Sequence, residues 1–310
     1  MCIRDRTTCP AGRELARQLT PNDNYQDAAD ALQRTADINS LCARYGTPGL
    51  GGIRDCTGAL QRAKLGARLS AGEILQVAQV LRTVRSIKKW RGQGETPTAA
   101  DDLFHLLAPV EGLEKDIFDA ILSEEELADS ASPALADLRR RIRRAQLKVR
   151  EQLDGIIRSP QYAKALQEPI VTMRDGRFVV PVKIECKNEV KGLVHDTSSS
   201  GATVFIEPMA VVDANNEIRL LQNEEQLEID RILQEFSERI GQVADATRTS
   251  FEALLQLDLL FAKSRLADKM KATVPELNED GIIEFRKARH PLIQKDKVVP
   301  VDIRPVSYTH

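Results

Sequence analysis

Between Pro208 and Pro275 the chain carries no proline and a single glycine, Gly241. Through that stretch Ile229, Ile232, Leu233, Phe236, Ile240, Val243, Phe251, Leu254 and Leu255 recur at three- and four-residue steps, the spacing that lines up apolar side chains on one face of an α-helix. Asn215 has the side chain of a helix cap. Read as one continuous helix from there to Ala272, the segment extends about 85 Å at 1.5 Å per residue. A compact globule has no use for such a rod, whereas a long arm does. Glu224, Glu225, Glu228 and Asp230 read as its solvated face.

A second long helix precedes it. Ser132-Pro133 is a start signal, a capping serine followed by proline at the first helical position, and Leu135, Leu138, Ile142, Leu147, Leu153 and Ile157 carry the pattern to about Arg158. From Pro169 the period changes from helical to alternating. "IVTMRDGRFVVPVKIEC" holds two β-rich runs around Asp175-Gly176, the signature of a type I′ hairpin, and Pro181 predicts an edge strand or a bulge. Residues 190–196 and 203–206 form a second hairpin. Upstream, helices are predicted over 22–44, 58–64, 99–107 and 113–122. Another begins at the capping box Ser70–Glu73 and runs to about Trp90, and a second capping box is read at Ser123–Glu126. Residues 282–303 return to short strands.

The fold class is therefore mainly α with a small β insertion. It comprises a helical core (7–131), an ascending lever helix (132–168), a small β-containing clamp region (169–212) and a long descending helix (213–274). Residues 1–6 and 305–310, "MCIRDR" and "PVSYTH", read as non-native ends. Aromatics make up 4% of the chain and the net charge is −2, so no global basic field announces a polyanion partner and any such contact must come from local patches. The five cysteines form no C-x-x-C pair and read as reduced cytoplasmic thiols. No apolar run approaches the roughly 20 residues of a membrane helix.

Three stretches carry candidate chemistry. "VHDTSSSGATVFIEP" places His195 and Asp196 ahead of three serines, but strand neighbours face opposite ways and cannot form one catalytic relay. Two readings stay open for Ser198 to Gly201: a turn whose hydroxyls cap its own backbone, or a nest of N–H groups for phosphate, with Ser199 and Ser200 as contacts. "RRRIRRAQLKVR" has seven basic residues from Arg139 to Arg150 and no acid. Arg139, Arg140, Arg141, Arg143 and Arg144 are either a solvated face or phosphate contacts, which give affinity without reading sequence. Arg174, Arg177, Lys183, Lys187 and Lys191 add a thinner basic scatter, diluted by Asp175, Glu185 and Glu189. The four histidines form no cluster, and His290 has no ligand partner nearby, so no metal site is expected.

"RFVVPVKIE", "GLVHDTSSSGATVFIEP", "NNEIRLLQNEEQLEIDRIL" and "KARHPLI" together resemble, in order and spacing, the type-two branch of the MutS family, as does "GGIRDCTGALQRAKLGARLS". The resemblance covers nearly everything between the two ends. It implies levers carrying a clamp, followed by a P-loop ATPase whose first strands would be 282–304. It further implies a homodimeric parent, often with a C-terminal Smr endonuclease domain, that uses ATP and Mg. Such a parent would embrace branched or duplex DNA in the control of recombination, or act on stalled ribosomes. Val298 and Val299 would lie beside the adenine, although Val301 stands where the family usually has Asn. The chain has no Gly-Lys dipeptide, so it holds no P-loop and no cofactor is expected within it. The rival reading is a coiled-coil tether with a small interaction head and no nucleic-acid role.

Overall fold

A computed structural model describes residues 3–110, 112–294 and 296–305; part of each end read as non-native (1–2 and 306–310) lies outside the described residues. The chain divides into two compact units, Met1–Phe118 with Phe236–His310, and Asp119–Glu235. In order along the chain the helices are α1 (Pro10–Arg17), α2 (Tyr25–Tyr45), α3 (Thr57–Lys64), α4 (Ala71–Arg91), α5 (Asp101–His105), α6 (Leu113–Ala120), α7 (Pro133–Ile157), α8 (Met209–Gln242) and α9 (Ala244–Met270). The strands are β1 (Thr172–Arg174), β2 (Arg177–Lys183), β3 (Gly192–Thr197), β4 (Thr203–Pro208), β5 (Phe285–Ala288) and β6 (Val301–Ile303).

The first unit is built on α9, which buries Phe251, Leu254, Leu257 and Phe261 and packs against α1 to α5. The ring of Trp90 meets Phe261 edge-on, centroids 5.5 Å apart. Polar groups on α8 and α9 fasten the irregular segments. Ser250 Oγ accepts from Ala108 N–H (2.9 Å) and donates to the Leu106 carbonyl. Ser237 Oγ accepts from Leu69 N–H (2.9 Å), and buried Asp258 accepts from the N–H and hydroxyl of Thr8 and the N–H of Cys9. Ile3–Arg6 form a 3-10 turn whose last carbonyl accepts from Arg265. Burial pushes the Cys9 thiol up to about 11 and the Cys56 thiol to about 12, so both are protonated packing groups.

The predicted continuous arm is corrected at two points. The helix begins at Met209, directly after Pro208, and it breaks at Val243 (φ −109, ψ 8) before resuming to Met270. At the break, Gly241 lies so close to the end of α3 that a Cβ would sit 2.6 Å from the Ala63 carbonyl oxygen, and Lys64 pairs with Asp245 just beyond it (2.6 Å). Apolar periodicity cannot register a backbone-to-backbone approach of this kind. The second capping box is also overturned. Leu122 and Ser123 donate to the Glu126 carbonyl and Ile121 pairs with Leu127, so these residues make a tight reversal; the helix start that follows is Ser132-Pro133.

In the second unit α7 and α8 run antiparallel, with Ser132 meeting Glu228, Arg139 meeting Glu225 and Arg141 facing Glu224. Ser132 Oγ caps Leu135 N–H (3.0 Å) while donating to Glu228 (2.7 Å). Arg231 first, and then Ser132, hold the Glu228 carboxyl well below its usual range, at about 2. The antiparallel sheet has the order β1-β2-β4-β3. Asp175 and Gly176 both have positive φ (48 and 75), as the predicted type I′ turn requires. Pro181 is on neither an edge strand nor a bulge. It pairs with Phe205, and its carbonyl accepts from Gln167 N–H (2.9 Å) on the other side. The core gathers Val149, Leu153, Leu166, Phe178, Val180, Val182, Val204, Ile206 and Ile218.

Three stability predictions test these features. Gly241→Ala is expected to destabilise the chain by about 1–3 kcal/mol through overpacking. Gly155→Ala, in α7 with nothing within 4 Å of the added carbon, should stabilise by about 0.5–1 kcal/mol; denaturant melts of both variants decide. The Glu228 contribution is fully present above its ordinary value of 4.5 and is lost as pH falls toward about 2. Glu228→Gln should therefore flatten the fall in melting temperature across that acid window and leave its slope near neutrality unchanged.

Candidate nucleic-acid interface

The basic run lies on α7, whose inner face is fixed by Leu135, Leu138, Ile142, Ala145, Val149 and Leu153. At 100° per residue the arginines distribute around the rest of the cylinder, and the fold treats them differently. Arg139 points inward. It donates to Glu225 (2.7 Å), Asp129 (2.7 Å) and the Leu127 carbonyl (2.7 Å), and only 18% of its side chain is exposed. Its guanidinium, with that of Arg143, holds the Asp129 carboxyl below the usual range. Arg140, Arg141 and Arg143 make exposed pairs with Asp137 (2.6 Å), Glu224 (3.9 Å) and Asp129 (3.4 Å), each worth little in water. Arg144 and Lys148 are exposed; Arg144 acts on the Asp137 carboxylate through space, and among the described residues neither side chain makes a close ion pair. Arg140, Arg144 and Lys148 follow one another at i, i+4, i+8 and so share the outer face of α7.

The basic residues of the sheet divide in the same way. Arg177 is spent on buried Glu207 (2.8 Å) and on Asn216 (2.7 Å). Arg174 stacks over the Phe205 ring (4.1 Å) and faces Asp196 (3.4 Å). Lys183 lies at the other end of β2, where it pairs with Thr203, its Nζ donates to the Lys164 carbonyl (3.1 Å) and Ile184 N–H donates to the Ala202 carbonyl; Lys187 follows the short 3-10 turn Ile184–Cys186. That register brings Lys183 beside the serine turn. Ser198 donates its N–H to the Thr203 carbonyl (2.9 Å) and its hydroxyl accepts from Thr203 N–H (3.0 Å), so Ser198 caps its own turn. Ser199 and Ser200 are exposed on it. Sequence spacing alone does not place Lys183 next to the serine turn; the antiparallel register does.

Glu207 was not singled out from sequence, and it is the most unusual side chain in the unit. Fully buried, it accepts from Arg177 and from Asn215 Nδ2 (2.7 Å) and contacts His195 Nε2. Asn215, expected to cap the long helix, is instead inside α8 and buried. Its side chain accepts from Phe178 N–H (3.3 Å) and donates to the Phe178 carbonyl (3.1 Å). The only trace of this in the sequence is an acid between apolar residues on a strand, Ile206-Glu207-Pro208. With His195 on Glu207 and Asp196 beside Arg174, the serines have no base aimed at them, so no hydrolytic relay exists in this hairpin.

In the first unit Val298 is half-buried and Val299 is 75% exposed in the segment before β6. Two valines offer a nucleobase an apolar face, but a triphosphate also needs an N–H cradle and a cation. Among the described residues no group of three or more His, Cys, Asp or Glu is placed to hold a metal ion. Nor is any described helix long and apolar enough to cross a membrane.

No family model matches the chain. Endonuclease MutS2 of Acetivibrio thermocellus is 44% identical over 299 residues, which is 95% of this chain and 38% of that protein. Endonuclease MutS2 of Ruminiclostridium cellulolyticum is 44% identical over 299 residues, 96% of this chain and 38% of its own length. Endonuclease MutS2 of Clostridioides difficile is 38% identical over 301 residues, with the same two shares. The chain thus spans 38% of the length of these curated relatives. Similarity at this level along almost the whole chain agrees with the motifs on β2, the β3–β4 hairpin and α8: the chain belongs to the type-two branch of the MutS family.

Proposed function

We propose that this chain is the nucleic-acid-embracing lever and clamp region of a MutS-like ATPase, with the clamp at 169–212 flanked by the lever segments 132–168 and 213–274. The helical core is 7–131, and the hairpin of β5 and β6 within 282–304 opens the ATPase domain of the parent protein. Exposed Ile282, Ile283, Phe285, Val301 and Ile303 support that last assignment, because such apolar strands need further strands to cover them. ATP and Mg act in the parent alone, which is homodimeric and cytoplasmic, and the endonuclease named in its relatives lies outside this chain. The partner is branched or duplex DNA, in the control of recombination, or the ribosome.

The observation that carries the reading is the set of exposed cations on the outer face of α7, Arg144 and Lys148 with weakly paired Arg140 beside them, of which Arg140 and Arg144 share the exposed Asp137 carboxylate. Lys183, beside the turn that carries Ser199 and Ser200, and Lys187 after it form a second contact at that end of the sheet. Arg177, committed to buried Glu207, and Arg139, committed to Glu225, Asp129 and the Leu127 carbonyl together, leave the set of phosphate contacts. A specific observation favours the tether as second reading: Leu220 and Leu227 lie seven residues apart on α8, each more than 60% exposed, which suits a partner helix.

Salt dependence separates the two. Binding of the chain to a four-way DNA junction and to ribosomes should weaken steeply with salt. The Arg140→Gln/Arg144→Gln/Lys148→Gln variant should reduce the logarithmic slope by about 0.9 for each phosphate contact removed. Arg139→Gln should instead lower stability. Absence of binding to either partner at any salt would leave the tether.

A further inference from the structure

β3 is held to the sheet in an unusual way. It is an edge strand in the order β1-β2-β4-β3, and none of its side chains enters the apolar core formed by α7, β2, β4 and α8. Leu193 and Val194 are 46% and 55% exposed, whereas Phe178 to Val182 on β2 are all buried. The ladder to β4 is interrupted by a bulge between Val194 and Asp196, which leaves short runs of main-chain bonds on either side. Two side chains supplement them. Asp196 faces Arg174 across 3.4 Å at a half-exposed position, and His195 reaches buried Glu207.

The His195 contact is asymmetric. Glu207 is already answered by Arg177 and Asn215, so losing His195 leaves no buried charge uncompensated. β3, in contrast, loses its one anchor to a fully buried group. Close approach at Gly192, where a Cβ would sit 2.1 Å from the Glu207 carbonyl oxygen, seats the start of the strand without any side-chain burial. An element with few apolar contacts and solvent-facing main-chain bonds opens at a far lower free energy than the unit that carries it.

We propose that β3 is a detachable edge strand, latched by His195 on Glu207, which peels from β4 while the rest of the 119–235 unit stays folded and swings the serine turn attached to it. This device does not depend on what the serine turn contacts. It gives Ser199 and Ser200 two positions relative to Lys183, one with the strand docked and one with it released.

Native-state hydrogen exchange of the whole chain, followed by NMR at rising sub-denaturing urea, tests it. The reporters are Ser198 N–H, bonded to the Thr203 carbonyl, and Met209 N–H, bonded to the Lys191 carbonyl. Both should exchange with almost no urea dependence. Lys183 N–H, bonded to the Ala165 carbonyl, and the amides inside α7 should follow global unfolding. His195→Ala should speed the two reporters about ten-fold, the loss of one charge-assisted bond, and leave Lys183 and α7 unchanged. Gly192→Ala should do the same, and His195→Gln should give a smaller effect. The proposal fails if the reporters share the urea dependence of α7 in the unaltered chain, a result that needs no variant to fold. It fails equally if His195→Ala speeds every amide alike.

Discussion

A carboxylate removed from water must be answered by charge and hydrogen bonds or it unfolds its surroundings, and Glu207 imposes that condition on the second unit. The answer comes from three elements at once: Arg177 from β2, His195 from β3 and Asn215 from α8. Asn215 also takes both main-chain groups of Phe178, so the beginning of β2 is fastened to the helix by polar contacts before any apolar packing is counted. Removing one partner of a buried pair typically costs about 3–5 kcal/mol, because the other charge is stranded. Packing of Val180, Val204 and Ile206 stabilises the sheet on α7 and α8, but many registers bury valine equally well. Only one register brings Arg177 and Asn215 to the same carboxylate, which makes this network the register-setting contact of the unit.

The first unit solves a related problem with smaller groups. Its irregular segments expose main-chain N–H and carbonyl groups inside a helical assembly, where each must find a partner. Ser237, Ser250 and Asp258, carried on buried faces of α8 and α9, supply those partners to Leu69, to the 106–108 segment and to Thr8 and Cys9. A helix that is apolar all round could bury its own surface but could not have seated these loops. Among the described residues the hydroxyl of Thr247 is the buried side-chain group without such a partner; it lies one turn into α9, beyond the break at Val243.

What could be read from sequence was what depends on neighbours in sequence. The cap at Ser132, the capping box at Ser70 and Glu73 and the turn at Asp175-Gly176 are decided within four residues, and all three are present. The break at Val243 depends on the Ala63 carbonyl, far away in the chain, and the start at Met209 depends on the preceding strand running directly into the helix. Asn215 has the side chain of a cap, yet the buried Glu207 and the main chain of Phe178 recruit it elsewhere. Ser123 and Glu126 have the spacing of a capping box, which has no meaning unless a helix follows at once. For the interface, sequence gave the residue types and their concentration on one helix. It could not say which charges were already spent, because Glu225 lies 86 residues from Arg139 and Glu207 lies 30 from Arg177.

A run of seven cations is therefore not seven binding groups. Arginine presents a planar fork of donors that can serve two carboxylates and a carbonyl together, and Arg139 does so with Asp129, Glu225 and the Leu127 carbonyl. Such a residue cross-braces α7, α8 and the turn before α7, and a phosphate would have to displace all three partners to reach it. Surface pairs such as Arg140 with Asp137 exchange at little cost, and Arg144 feels that same exposed carboxylate only through space. Affinity for a polyanion grows with the counterions its ligand releases, and only cations not already neutralised by the fold drive that release. The near-zero net charge of the chain is thus compatible with a local interface, because some of the acids that balance the count are engaged by arginines such as Arg139 and Arg177, while Asp137 and Glu151 share the outer face of α7 with its cations and dilute them.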